Sequence, residues 1–418
     1  MNHRTLLIAT LLTSTGGGFS IAACASDESS AAPTDDGKTI IESDAGASPD
    51  ATGDVSEADI DAGPCTDCAW FPVDCSPEIP CESGPFDPST AGGAIDGRAR
   101  IHSIRGRSAS DVWAVGALGA VARYDGTSWT RLDIGDRSTT KAIWLRDDTE
   151  LLLASMHRFH SHDAGVTSWF GIDLTQAFDS PVPDSLSPSS YLLTSAWAAD
   201  GATWMWCTSI DSQVAPSYDT PPGLWRLRYT STKTDGLEVV EVPIPTETCE
   251  LGGQANSGLC QRLNGVHGFD KSQLWAVGSR GVTFHVTDAD GDTPSLRAFN
   301  SQTENELRAV WTASAREAWS VGAAGTIRHY AGDPGRWDVV VDVPMSSNLN
   351  AIWGTSPTDV WAVGDDSVVL HYDGVRWSRV PVGGLGVRRP NLTTVWSPSP
   401  GQVWIGGDGI ILSLGGKS

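Results

Sequence analysis

The sequence predicts an all-β protein, a seven-bladed β-propeller of four-stranded antiparallel blades whose last blade is closed by an N-terminal strand. Three observations predict it. The stretch Leu349 to Val380, LNAIWGTSPTDVWAVGDDSVVLHYDGVRWSRV, holds four β-rich runs (Leu349–Trp353, Asp359–Val363, Val368–Tyr372 and Trp377–Val380) separated by Gly, Pro, Asp and Ser clusters that break strands. Its tryptophan pair, Trp353 and Trp361, recurs at Trp311/Trp319 and Trp396/Trp404. With one Trp replaced it recurs at Arg105/Trp113, Trp144/Leu152 and His267/Trp275, and one residue shorter at Trp197/Trp204, which makes seven copies. The second-run anchors Trp275, Trp319, Trp361 and Trp404 lie 44, 42 and 43 residues apart, the period of four-stranded propeller blades.

A single four-stranded sheet cannot bury both faces, so neighbouring blades must stack, and flat indole rings suit that contact. The 18 tryptophans are therefore expected in the core. An open ring would leave edge strands exposed. The seventh copy supplies Leu392–Trp396, Gln402–Ile405 and Ile410–Leu414 but no fourth run, so an upstream segment must close it. Fourth runs elsewhere open on Trp129, Trp169, Trp337 and Trp377, and Trp70-Phe71-Pro72-Val73 fits that frame. Pro72 is compatible with an outermost strand.

In chain order, residues 1–24 carry Arg4, an apolar Leu6–Leu12 run and the ending Ile21-Ala22-Ala23-Cys24, the pattern of an export signal too short to span a membrane. The ending resembles the lipobox of bacterial lipoproteins. That resemblance implies lipidation of Cys24 and, with Ala25 and Ser26 following, anchoring at the outer membrane or cell surface; an ordinary secretory signal is the alternative. Residues 25–64 hold eleven acidic residues against Lys38 alone, few large apolar side chains, and so read as a disordered acidic tether. The segment 65–100 is Cys-rich and is expected to contribute the closing strand; 101–418 is the propeller. Export to an oxidising compartment favours structural disulfides for Cys65, Cys68, Cys75, Cys81, Cys249 and Cys260, in a connectivity the spacing leaves open, and Cys207 is expected as a buried thiol.

The net charge of −23, from 28 basic and 51 acidic residues, disfavours a nucleic-acid partner. No nucleophile motif or phosphate-cradling loop is present, and no cofactor is expected. Asp288-Ala289-Asp290-Gly291-Asp292 is rich in carboxylates, but its glycine is misplaced for an EF-hand loop, so no metal ligands are assigned.

The turns Tyr124-Asp125-Gly126-Thr127-Ser128-Trp129, Tyr372-Asp373-Gly374-Val375-Arg376-Trp377 and Ser161-His162-Asp163-Ala164-Gly165 resemble the Asp-box turns of sialidase-type (BNR) propeller repeats. Asp accepting backbone N–H groups and Gly supplying positive φ explain such turns structurally. The resemblance implies a propeller displayed on bacterial lipoproteins. It leaves two functions open: a non-catalytic binding or scaffold module, which the lack of a catalytic set favours, and a carbohydrate-active enzyme of the sialidase kind.

Alignment of the first runs on the Trp353 column places His102, Lys141, Thr194, Asn264, Arg308, Asn350 and Thr393 three positions earlier, polar in every copy, with small residues next to them. These are expected to ring the channel where the first runs begin. The long insertions Thr175–Tyr191, Asp211–Gly223 and Val242–Gln261, and Gly383–Asn391 with Arg388 and Arg389, belong to loops on that same face. The expected contact residues are thus His102, Lys141, Asn264, Arg308, Asn350, Arg388 and Arg389. The expected partner is a surface glycan, an acidic polymer or another protein, with membrane association through the lipid alone.

Overall fold

The structure, a computed structural model, describes residues 67, 69–147, 149–156, 158–163, 168–173, 191–211, 223–229, 237–244 and 262–414. These belong to the unit that spans residues 63–418. Seven four-stranded antiparallel sheets form it. Their first strands are Ile101–Ser108, Ala142–Leu145, Tyr191–Trp197, Leu263–Asp270, Leu307–Ser314, Leu349–Ser356 and Leu392–Ser399, taken here as blades 1 to 7. Blade 6 shows the plan: Leu349–Ser356, Asp359–Gly364, Val369–Tyr372 and Trp377–Arg379 pair in sequence order, a meander.

The ring closes through its core. Each of seven buried apolar clusters joins one adjacent pair of blades, the last uniting Ile101, Ile104 and Val112 of blade 1 with Trp396, Trp404 and Ile411 of blade 7. Second-strand tryptophans carry these interfaces. Trp275 packs at 4.8 Å on Trp337, Trp319 at 5.5 Å on Trp377 and Trp404 at 5.4 Å on Trp129, in each case the fourth-strand or adjoining Trp of the next blade. In blades 4, 5 and 6 the ring also has a histidine cover within its own blade, Trp275 lying 4.7 Å from His285. Trp319 stacks on His329, which contacts Glu317 at 2.6 Å, and Trp361 stacks on His371, which contacts Asp359 at 2.7 Å.

Blade 7 is closed from the N-terminal side, but by Cys81–Glu82 instead of Trp70–Val73: Cys81 lies opposite Ser413 and Glu82 opposite Leu412. Trp70 lies outside every sheet, in a turn. Phe71 joins the buried cluster of Trp361, Val382 and Leu385, with Trp70 packed against it, so the pair supplies the aromatic packing that a fourth-strand Trp supplies elsewhere. Its carbonyls are taken by the loop after blade 6, Val382 N–H donating to Trp70 and Gly384 N–H to Pro72, which leaves no sheet edge for this segment. A Cys75–Cys81 disulfide links the turn to the closing strand. Cys65, Cys68, Cys249 and Cys260 lie outside the described residues, as do Cys24 and the tether; Cys207 is a buried free thiol.

Two expected pairings shift by register. Trp144 lies opposite Leu151 rather than Leu152, and Trp197 opposite Trp206 rather than Trp204. Blade 2 lacks the bulges that the regular copies carry in their first strands, and blade 3 has a longer hairpin at Ala198–Thr203. The Asp turns form as expected where described: Asp125 Oδ1 accepts from the N–H groups of Thr127 and Ser128, and Asp373 Oδ1 from those of Val375 and Arg376. Gly126 and Gly374, at φ 97° and 90°, occupy the left-handed region that glycine favours. Residues 164–167, the third such turn, lie outside the described set.

Candidate functional site at the channel

Each first strand starts near one end of the channel and runs toward the hairpin that joins it to the second strand. At its start stands the polar column. Its members bond the neighbouring blade: Thr194 Oγ1 donates to the Leu263 carbonyl, Asn264 Nδ2 to that of Leu307 at 2.9 Å, Asn350 Nδ2 to that of Leu392 at 2.9 Å, and Thr393 Oγ1 to that of Ile101. Arg308 donates to Asn350 Oδ1 at 2.6 Å and contacts Glu306 at 3.3 Å, while Lys141 Nζ meets His102 Nε2 at 3.2 Å. The column is therefore a belt that ties blade to blade through backbone carbonyls left over at the inner strand edges. Burial, the Lys141 and Arg100 charges together hold His102 at a pKa of about 4, and burial, then Arg100, lowers that of Lys141.

Arg388 and Arg389 lie on the same side and also have protein partners. Arg388 pairs with Glu82 at 2.8 Å; Arg389 pairs with Asp67 at 3.0 Å and lies 3.6 Å from the Phe71 ring centroid. Each of the seven expected contact residues is engaged within the chain. The inserts Thr175–Tyr191, Asp211–Gly223 and Val242–Gln261 lie, apart from their ends, outside the described residues.

The other end of the first strands is open. A cavity of about 1920 Å³ is lined by the whole column on which the repeat was aligned, Arg105, Trp144, Trp197, His267, Trp311, Trp353 and Trp396. One residue from each blade converges there, followed outward by the first hairpins of blades 2, 3 and 4, including Asp147, Asp200 and Lys271. Phe269 stands on its lining with 52% of its surface exposed. Glycines make room for the indoles: a Cβ on Gly106, Gly268 or Gly354 would come within about 2.6 Å of Trp396, Trp197 or Trp311 of the preceding blade.

The floor is closed by contacts across the axis. His267 packs at 5.2 Å on Trp197 and at 5.1 Å, edge to face, on Trp353, and the Arg105 guanidinium covers the Trp353 ring. His267 Nδ1 accepts from the Thr312 N–H at 3.2 Å, so the neutral ring carries its hydrogen on Nε2. Burial first, and the Arg105 charge second, hold its pKa down at about 3. Arg105 itself, desolvated, is pulled to about 10 and stays charged at neutral pH.

The alignment column is legible in the sequence as a set of core tryptophans. Several are nearly buried, as expected, yet they also form the cavity wall. The two departures from Trp, Arg105 and His267, were the available signal. Elsewhere, Asp290 accepts from the backbone N–H groups of Thr203 and Trp204, while Arg226 clamps the carbonyls of Gly291 and Asp292, so the acidic turn serves as an inter-blade clasp. Every carboxylate with a displaced pKa among the described residues is displaced downward, as at Asp125 and Asp373 by backbone N–H donors, whereas a glycosidase acid needs a raised one.

No family model and no curated protein sequence matches the chain. Solved structures match in fold. YCF48 bound to D1 peptide is similar with a TM-score of 0.53 and 16% identity over 81% of this chain and 98% of that one. YCF48 from Cyanidioschyzon merolae is similar with a TM-score of 0.54 and 15% identity, covering 76% and 96%. The WD40 repeats of RRP9 are similar with a TM-score of 0.52 and 7% identity, covering 76% and 94%. At these identities the likeness is one of propeller architecture.

Proposed function

We propose that this chain is a non-catalytic binding module that takes a peptide segment of a partner protein into the aromatic cavity at the hairpin end of the channel. One observation carries the reading: seven first-strand residues, one from each blade, converge on a single open cavity with an exposed Phe on its wall. Convergent aromatic and polar side chains on a rigid scaffold suit recognition of a mixed apolar and polar ligand. Sugar rings stack on open indole faces, and here the faces of Trp353 and Trp144 are already covered by Arg105 and Arg146, which favours a peptide over a glycan. A peptide-bound propeller among the structures similar in fold supports the same choice. The lipobox-like ending at Cys24 and the acidic residues 25–64 support display of the module at a bacterial surface on a tether.

The test is retention of a random peptide panel by the full chain, beside the Ala199→Trp variant, which adds an indole to the cavity lining. Peptides retained by the parent and lost by the folded variant support the reading. Retention that Ala199→Trp leaves unchanged, or turnover of a glycan panel, overturns it.

A further inference from the structure

We propose that Arg105 is a carboxylate-binding residue, its guanidinium gripping an acidic group of the bound peptide at the floor of the cavity. This rests on the peptide-binding reading above and goes one step further, to the chemistry of the ligand.

Among the described residues Arg105 is the cation of the converging column, and it shares with Arg146, which donates to the Tyr229 carbonyl at 2.8 Å and covers Trp144, the lack of a carboxylate partner. Arg107 is neutralised by Asp111 at 3.0 Å and Glu150 at 2.8 Å, and Arg228 by Glu238. Arg105 has one backbone acceptor, the Ile104 carbonyl at 2.7 Å, and the face of Trp353. Among the described residues no carboxylate pairs with it. A guanidinium carries five N–H donors in a planar fork, so most of this one's hydrogen-bonding capacity faces a cavity instead of a protein acceptor. A partly buried cation without a counter-ion is costly, and a ligand carboxylate answers that cost with charge-assisted, bidentate hydrogen bonds.

The surroundings agree. His267, the other polar member of the column, is neutral and so neither repels nor replaces a charge at the floor. Desolvation lowers the Arg105 pKa, the direction a bound carboxylate would reverse. None of the acids that line the cavity belongs to the converging column: Asp147, Asp200 and Asp270 sit on or beside the first hairpins of blades 2, 3 and 4, and Asp163 lies opposite Thr149 at the start of the second strand of blade 2. The ligand that fits this polarity is a peptide whose carboxylate enters first and whose flanking residues are neutral or basic. The carboxylate is supplied either by the peptide's free C-terminus or by an Asp or Glu side chain.

The experiment uses the full chain and the peptides it retains from the random panel. Each is remade with its C-terminus amidated, and separately with its Asp and Glu replaced by Asn and Gln. On the parent protein one of the two replacements is expected to weaken binding about tenfold or more, the size of a lost charge-assisted contact, and which one identifies the source. With Arg105→Gln the same replacement should make no difference, and Arg105→Lys should restore part of the discrimination. The peptide arms need no variant, so a misfolded Arg105→Gln does not protect the idea. Peptides that bind the parent equally well with and without carboxylates overturn the proposal and leave the peptide-binding reading standing. Retention of polyuronate but of no peptide overturns both.

Discussion

Arg105 and Trp353 meet across the axis of the ring, the guanidinium carbon 4.7 Å from the indole centroid, although one belongs to blade 1 and the other to blade 6. With His267 of blade 4 and Trp197 of blade 3 in the same contact set, side chains from four blades close the channel at one level. Beyond that level, toward the strand starts, lies the polar belt; before it lies the open cavity. The closure is both a structural keystone and the floor of the proposed site.

The buried His267 makes stability depend on acid. Its folded pKa, about 3, lies below the ordinary histidine value, so between pH 6.5 and 3 the unfolded chain binds the proton more readily. Its contribution is complete above about pH 6.5 and is lost as pH falls, at up to about 1.4 kcal/mol per unit. His267→Asn should flatten the acid limb of chemical-denaturation stability measured from pH 7 to 4. An unchanged pH slope would remove His267 from that role.

Gly354 gives the second prediction. A Cβ there meets the Trp311 ring at 2.6 Å, while Gly97 has nothing within 4 Å and an ordinary φ. Gly354→Ala should therefore cost about 1–3 kcal/mol by overpacking, and Gly97→Ala should stay within about 0.5 kcal/mol of the parent. Equal melting behaviour of the two variants would contradict the fit of indole into glycine.

Closure of the ring is tested by truncation. Besides its pairing with Ile410–Leu414, the closing segment gives the Ser83 N–H to Ile411 and receives the Trp129 indole N–H at the Ser83 carbonyl, linking blades 7 and 1. Removing residues 63–83 should lower the unfolding midpoint and broaden the transition, whereas removing 25–60 should leave it in place. Replacing Cys75 and Cys81 together by Ser should cost about 2 kcal/mol, the scale of a short disulfide loop.

The address is tested separately. Cys24→Ser should move the protein from the membrane fraction to the soluble one in a bacterial host that lipidates exported proteins. A variant that stays with the membrane would contradict the lipid anchor.

Much of the fold was legible because the Trp353/Trp361 spacing is a local signal repeated seven times. The closing strand was misplaced because Trp70 mimics a fourth-strand anchor, and only the three-dimensional path shows that its carbonyls serve the loop at Val382 and Gly384 while Cys81 reaches the sheet. The polar column was also visible, but its meaning was not. Whether Asn264 or Asn350 faces a ligand or a neighbour's carbonyl depends on the stagger between blades, which no single repeat encodes. For the same reason the open end of the channel could not be told from the belted one, and Arg105 looked like a degenerate Trp position.

The most direct test of the central claim is hydrogen exchange of the full chain, read by mass spectrometry with and without a saturating retained peptide. Binding in the aromatic cavity predicts slowed exchange in the first hairpins of blades 2, 3 and 4, around residues 145–149, 197–204 and 268–272, with no change in 383–391. Slowed exchange confined to 383–391 and the starts of the first strands would contradict it and place the ligand on the opposite rim, against Arg388 and the belt.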